Sequence, residues 1–403
     1  MSTYPRYAAP VAPMTWDVPA GGAARFTWEY DEGRERLLAL YQKGKDKQWD
    51  AGTRIDWSLD VPYGRPLGLP DETIAIHDTP AWNKMSAANR DELRRHLASW
   101  QFSQFLHGEQ GAMICSARIV ESVPDLDAKF YATTQTIDES RHVEVYARFL
   151  HEKLGLVYPI NDHLKGLLDQ TLSDSRWDIP YLGMQVLIEG LALAAFGLLR
   201  DMTPHPLPKQ ILAYVMQDEA RHVAFGRLAL RDYYHQLTDA ERAEREEFAA
   251  EGCYLMYERL NGAEVWENSG LGLADSTELV KKSDYFRTFQ TLLFSRIVPC
   301  MKDIGLWGPT IRSAYEQLGV LEMADVDLAA LMATDERVAD DLDRSREQSA
   351  ADGDQADHAD LAKRRAEVAA TIATGTGVTA PAETAEIAAE IAAALPTVPT
   401  GAA

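Results

Sequence analysis

Two histidines and four glutamates, set in a repeat, carry most of the chemistry this sequence offers. The segment Asp138-Glu139-Ser140-Arg141-His142-Val143 recurs 80 residues later as Asp218-Glu219-Ala220-Arg221-His222-Val223. A further glutamate precedes each copy by the same distance, Glu109 lying 30 residues before Glu139 and Glu189 lying 30 before Glu219. A single ExxH is usually no more than a solvated helix face. Its recurrence with a matched upstream glutamate has chance odds on the order of one in a thousand or less.

Helix geometry turns this spacing into a site. Residues i and i+3 share a face, so Glu139 points with His142 and Glu219 with His222. Thirty residues let a helix finish, turn and return antiparallel, which brings Glu109 and Glu189 level with their ExxH partners. Four helices then direct four carboxylates and two imidazoles at one point in a bundle, the arrangement of di-iron and di-manganese carboxylate proteins. Charge leads to the same expectation. Glu189 is the only charged residue between Tyr181 and Leu199, and burying an unpaired carboxylate costs several kcal/mol. Two divalent cations would cancel four such groups. Arg141 and Arg221 are only two, and helical phase turns them away from the glutamates. Oxygen-rich ligands with one imidazole per metal and no thiolate suit iron or manganese.

At these residues the chain resembles the ferritin-like di-iron carboxylate superfamily. Its DExRH segments look most like those of bacterial di-iron oxygenases, a group that includes multicomponent monooxygenase hydroxylases and aminobenzoate N-oxygenases. The likeness covers about residues 90–235. It implies that Glu109, Glu139 and His142 bind one iron, that Glu189, Glu219 and His222 bind the other, and that at least one carboxylate bridges. It also implies that Asp138 and Asp218 accept the far N–H of the metal-bound histidines, with Arg141 and Arg221 paired to those aspartates. Multicomponent hydroxylases carry a threonine where this chain has Leu193, and the aminobenzoate N-oxygenases add a histidine ligand where it has Val215. Tyr146 falls where the small subunit of ribonucleotide reductase has its radical tyrosine, but that subunit starts with an aspartate in place of Glu109. A packed core tyrosine is the default reading.

The surrounding elements are those such a site needs. Helical patterns run over Ser86–Val123, Pro124–Leu154, Asn161–Leu172, Pro180–Met202 and Leu207–Leu237, with a capping-box signature at Thr238 and Glu241. Further helices are expected at Asp31–Lys47, Lys282–Met301 and Pro309–Leu318. No run of alternating strands is present, so the expected class is all-α: a ferritin-like four-helix bundle with flanking helices and a flexible acidic C-terminal tail. Three segments follow: 1–85 as arm and helix, 86–320 as the helical domain, 321–403 as the tail. That last stretch holds 17 acidic against 6 basic side chains, half of the net charge of -22. Such a field disfavours nucleic acid and anionic lipid as partners. Tyr181–Leu199 is long enough to cross a bilayer, yet the glutamate at its middle favours a buried core helix. Cys115, Cys253 and Cys300 lie far apart without a CxxC pair, which fits a reducing cytoplasm.

The expected function is an O2-activating non-haem di-iron oxygenase performing hydroxylation, N-oxygenation or desaturation on a small hydrophobic or aromatic substrate. The cofactor is two iron ions, with Mn/Fe as a variant. No flavin or nicotinamide site is visible, so electrons are expected from a separate reductase or ferredoxin. The resembled family makes a homodimer a natural assembly. Phe105, Ala112, Met113, Val186, Ala192, Leu193 and Met216 are candidates to line a dry pocket. A ferroxidase or peroxide-handling protein is an alternative, against which the extra length argues. So is a Mn/Fe ligand-binding oxidase or radical generator with Tyr146 as its sensor residue.

Overall fold

The computed structural model describes residues 16–27, 30, 33–273, 276–345, 347 and 348, and no β-strand occurs among them. The principal helices are α1 (Glu35–Asp46), α2 (Ala87–Ser122), α3 (Leu126–Phe149), α4 (Asp162–Ser173), α5 (Tyr181–Met202), α6 (Pro206–Tyr234) and α7 (Asp239–Arg259). Two shorter ones follow, α8 (Ile297–Asp303) and α9 (Pro309–Leu318). Helices α2 and α3 form one antiparallel hairpin and α5 and α6 the other; α3 packs on α6, closing the four-helix bundle. Each hairpin thus carries one copy of the repeat.

Local chemistry sets the boundaries. Ser86 accepts a hydrogen bond from the Asn89 backbone N–H, and Asp125 accepts from Asp127 and Ala128, so α2 and α3 begin with their free donors satisfied. Thr238 and Glu241 form the reciprocal capping box that starts α7. Close backbone approach fixes the bundle at the height of the repeat. A Cβ on Gly226 of α6 would stand 2.5 Å from the Gln185 Cβ, and one on Gly183 would stand 2.3 Å from Thr171 of α4.

Two expectations need correction. The first eight residues of α5, Tyr181–Ile188, are wound as a π-helix rather than an α-helix. Their wider i→i+5 bonding re-phases Glu189 relative to everything upstream. The single helix expected at Lys282–Met301 is two, Asp284–Leu293 and Ile297–Asp303. Pro299 explains the break: it has no N–H to donate and would clash with the turn before it, so it falls in the first turn of α8.

Part of the expected tail lies among the described residues. The chain divides into two compact units, Met1–Asp340 and Asp341–Ala403, so residues 321–340 belong with the bundle. Residues 328–340 are helical. Asp335, 2% exposed, sits between Arg200 at 3.1 Å and Arg296 at 2.6 Å. This buried carboxylate between two buried guanidiniums joins Leu328 and Ala339, which are buried in the core, in holding the segment. Residues 341–345, 347 and 348 are also helical; the rest of the expected tail, and the first 15 residues of the expected arm, lie outside the described residues. Helix α5 is apolar and long enough to cross a membrane, but 83% of its most apolar stretch is buried in the bundle.

Removing one partner of a buried ion pair costs about 3–5 kcal/mol, whereas an exposed pair contributes about 0–1 kcal/mol. Asp335→Ala is therefore expected to lower stability by about 3 kcal/mol in urea denaturation. Glu336→Ala, which removes the half-exposed partner of Lys43, should change it by less than about 1 kcal/mol.

Candidate metal centre

Helices α2, α3, α5 and α6 deliver Glu109, Glu139, Glu189 and Glu219 into one space, with His142 one turn after Glu139 and His222 one turn after Glu219. All six side chains are buried. The His142 Nδ1 lies 3.3 Å from Glu109, 3.4 Å from Glu139 and 3.0 Å from Glu219. The His222 Nδ1 lies 3.0 Å from Glu139 and 3.5 Å from Glu219. Potential ligand atoms fall into two groups, each within 4.8 Å of one another: Glu109, Glu139, His142 and Glu219 in one, Glu139, Glu189 and His222 in the other. All six sequence-expected residues are thus brought together. Their grouping differs from the expected one, because Glu139 and Glu219 both stand between the two imidazoles.

Several of the oxygen and nitrogen atoms facing this space lack a hydrogen-bond partner. Among the described residues, Glu139 Oε2, Glu189 Oε2, both Glu219 oxygens and His222 Nδ1 are buried with no hydrogen bond. Such atoms cost about 1–3 kcal/mol each when left unsatisfied. A pair of divalent cations fits this donor set, since it supplies what the protein does not.

Without metal, the cluster holds protons. Burial and the charge of Glu219 push Glu109 and Glu189 well above the usual carboxylate range. Burial would lower both histidines, but the surrounding carboxylates outweigh it: Asp218 and the glutamates raise His142 well above its ordinary value, and Glu139 and Glu219 do the same for His222. Burial alone would also raise Glu139, yet the two histidines hold it below its usual range.

Behind the imidazoles, the two copies cross over. The His142 Nε2 lies 3.1 Å from Asp218 of the other copy, and the His222 Nε2 lies 3.3 Å from Asp138. Arg141 bridges Asp138 and Asp218, and so does Arg221. All four are buried. Each aspartate thus lies against the histidine of the opposite repeat.

Sequence reasoning missed three contributors. The Gln135 amide donates to Glu139 at 3.1 Å and to Glu189 at 2.9 Å. It lies four residues before Glu139, so helical phase could have found it. Just beyond α1, Gln48 donates to Asp138 at 2.7 Å and the Trp49 indole N–H donates to Asp218 at 2.8 Å. No spacing rule connects residues so far apart in the chain.

Tyr146 is fully buried with its hydroxyl unpartnered, packed against Phe102, Phe105 and Phe196. Burial raises its pKa well above the ordinary value, followed by the charges of Glu109 and Glu219. A narrow cavity of about 20 Å³ adjoins Glu109, Glu189 and Glu219 and is lined by Phe105, Ala112, Met184, Ile188, Ala192 and Phe196 among others. Of the expected lining, Phe105, Ala112 and Ala192 are there; Met113, Val186, Leu193 and Met216 are not. Val215, one turn before Glu219, is fully buried, and its side chain has no ligating atom to add.

None of the curated proteins matches the chain. Among solved structures, two variants of an R2-like ligand-binding oxidase with anaerobically reconstituted Mn/Fe cofactor match at 19% and 18% identity. Each match covers 69% of this chain and 96% of the other, with a TM-score of 0.43. The family model described as P-aminobenzoate N-oxygenase AurF matches residues 31–305, taking in both copies of the repeat. With its all-helical bundle, its paired ExxH helices and this match, the chain belongs to the P-aminobenzoate N-oxygenase AurF family of ferritin-like di-iron oxidoreductases.

Proposed function

We propose that this chain is an O2-dependent di-iron oxygenase of a small apolar or aromatic substrate. Glu109, Glu139, His142, Glu189, Glu219 and His222 would hold the metals, with Glu139 and Glu219 placed between the two imidazoles. The observation that carries this reading is the set of buried, unpartnered carboxylate oxygens facing one another around two imidazoles. Two ferrous ions bound there supply the electrons and the Lewis acidity with which O2 is activated. The same ligand set accepts Mn/Fe.

The protein's own groups do the rest. Asp218 and Asp138 accept the Nε2–H of His142 and His222, which leaves each Nδ1 lone pair directed inward. Gln135 fixes the orientation of Glu139 and Glu189. The cavity beside Glu109 is large enough for about one water-sized molecule, and its apolar wall keeps bulk water from a reactive oxidant. We assign Tyr146 the role of packing that wall. N-oxygenation is the reaction in the family's name, and hydroxylation and desaturation are open to the same ligands. The first electrons must come from outside the chain, which makes a reductase or ferredoxin the expected partner. The three cysteines are unpaired and buried, in keeping with a cytoplasmic enzyme.

Three outcomes are expected. Asp218→Asn should weaken metal binding roughly 10–100-fold in chelator competition, and Glu219→Ala should lower the metal content from two per chain to about one or none. Because His142, His222, Glu109 and Glu189 all have raised pKa values in the metal-free cluster, they hold protons that metal must displace. Loading at neutral pH should thus release about two protons or more per chain into weak buffer, and affinity should fall as pH falls. Finally, the loaded enzyme given O2 and an accepted substrate should turn over repeatedly only with an added reductant. Sustained turnover without one would refute the oxygenase assignment.

A further inference from the structure

A second cavity lies apart from the metal centre. Its volume is about 170 Å³, and none of the residues that border it borders the metal-side cavity. Leu97, Ala98 and Gln101 of α2 form part of its wall, and the C-terminal ends of α5 and α7 add Leu199, Met202 and Leu260. Residues 65–70 and 73–75 form another part, and Trp266, Phe286 and Phe289 supply aromatic surface.

Hydrogen bonds and close packing fix this wall. Arg94 of α2 clamps the 65–75 segment through Asp71: its Nε donates to Oδ1 at 2.8 Å and its Nη2 to Oδ2 at 2.7 Å. Such bidentate pairs fix geometry as well as adding energy. At Gly68 the backbone has φ +62°, and an added Cβ would stand 2.7 Å from Pro204. The segment therefore lies directly against the stretch between α5 and α6.

The polar side chains of the wall are engaged, with one exception. Arg65 and Arg94 are its charged residues, and Asp71 and Asp91 pair with them. The Trp100 indole donates to Glu264 at 3.0 Å and the Trp266 indole to the Asn261 carbonyl at 2.8 Å. The Asn261 amide donates to the Glu258 carbonyl at 2.8 Å, and the Thr73 hydroxyl to the Pro70 carbonyl at 2.7 Å. Gln101, half-buried, is the one polar side chain of the lining that makes no hydrogen bond to a described residue. The wall thus offers aromatic and aliphatic surface, no unpaired charge and one free amide.

Size and chemistry together define what fits. A cavity of about 150 Å³ holds a benzene ring, so this one has room for a ring and one small substituent. Aromatic walls favour an aromatic body. A charged substituent would lose its water and gain no counter-ion, whereas a hydroxyl can pair with the Gln101 amide. We propose that this cavity is a second binding site of the protein, taking a neutral single-ring molecule that bears one hydrogen-bonding group. The ring packs among Leu97, Ala98 and the aromatic side chains, and its polar group meets Gln101. This site goes beyond the reaction at the metals and stands whether or not two metals bind there.

The test is calorimetry on the metal-loaded full chain with three probes of nearly one size: benzyl alcohol, toluene and benzylammonium. The wild type should bind benzyl alcohol with a Kd of about 1 mM or tighter. Toluene, lacking the hydrogen bond, should bind roughly 2–10-fold more weakly, and benzylammonium at least roughly 10-fold more weakly. Ala98 is buried in the wall, so the ring of Ala98→Phe should take the ligand's place and weaken benzyl alcohol at least roughly 10-fold. Gln101→Leu should bring the alcohol-to-toluene ratio to about one while toluene itself still binds. Should Ala98→Phe fail to fold, as read by circular dichroism, the smaller filling Ala98→Leu and Gln101→Leu decide. Absence of benzyl alcohol binding, or benzylammonium binding as well as the alcohol, would overturn the proposal. So would full affinity in the folded Ala98 variant, which locates the ligand elsewhere, or an alcohol preference that survives in Gln101→Leu.

Discussion

Four carboxylates buried in one space are the constraint on which the rest of this structure depends. Each would cost several kcal/mol alone, and their mutual repulsion adds to that. Two imidazoles can offset at most half of the charge. Without metal, the cluster compensates by keeping protons on the histidines and on Glu109 and Glu189. With metal, the same oxygens would become ligands. The interior of the bundle therefore contains polar atoms that a cation pair would satisfy, and four separate helices each contribute one carboxylate to that place.

Around the cluster, the duplicated sequence produces an interlock rather than two independent halves. Each histidine is oriented by the aspartate of the other copy, and each arginine bridges both aspartates. Either hairpin alone would leave its histidine without a partner and its aspartate with one arginine fewer. Gln48 and Trp49 close the network from the N-terminal side, which gives the segment after α1 a part in setting the imidazoles. The π-wound start of α5 serves the same end, since it sets the phase at which Glu189 enters.

Much of this was legible from residue types and spacing. Repetition of E-x29-E-x2-H picked out six side chains that the fold brings into one space, because helical periodicity and hairpin length are local properties of the chain. A capping box located the start of α7, and the ends expected for Pro309–Leu318 are those observed. Pairing across the repeats was not legible, since spacing within one copy groups Glu109 with Glu139 while the tertiary fold places Glu139 and Glu219 together. Gln135 could have been found from its phase, but a lone glutamine carries no motif. Asp335 shows the general limit: composition counts charges, and only the fold decides which of them are buried. Leu193 and Val215 remain departures from the resembled enzymes, and both are fully buried apolar side chains. Neither side chain offers an atom that could ligate a metal.

Mössbauer spectroscopy of the chain reconstituted with iron-57 tests the central claim most directly. A shared cluster predicts two irons per chain that couple antiferromagnetically after exposure to O2, giving a diamagnetic ground state through the oxygens held between them. Isolated, magnetically independent ferric ions, or a stoichiometry of one, would mean that Glu139 and Glu219 do not join two metals and that the account of this site is wrong.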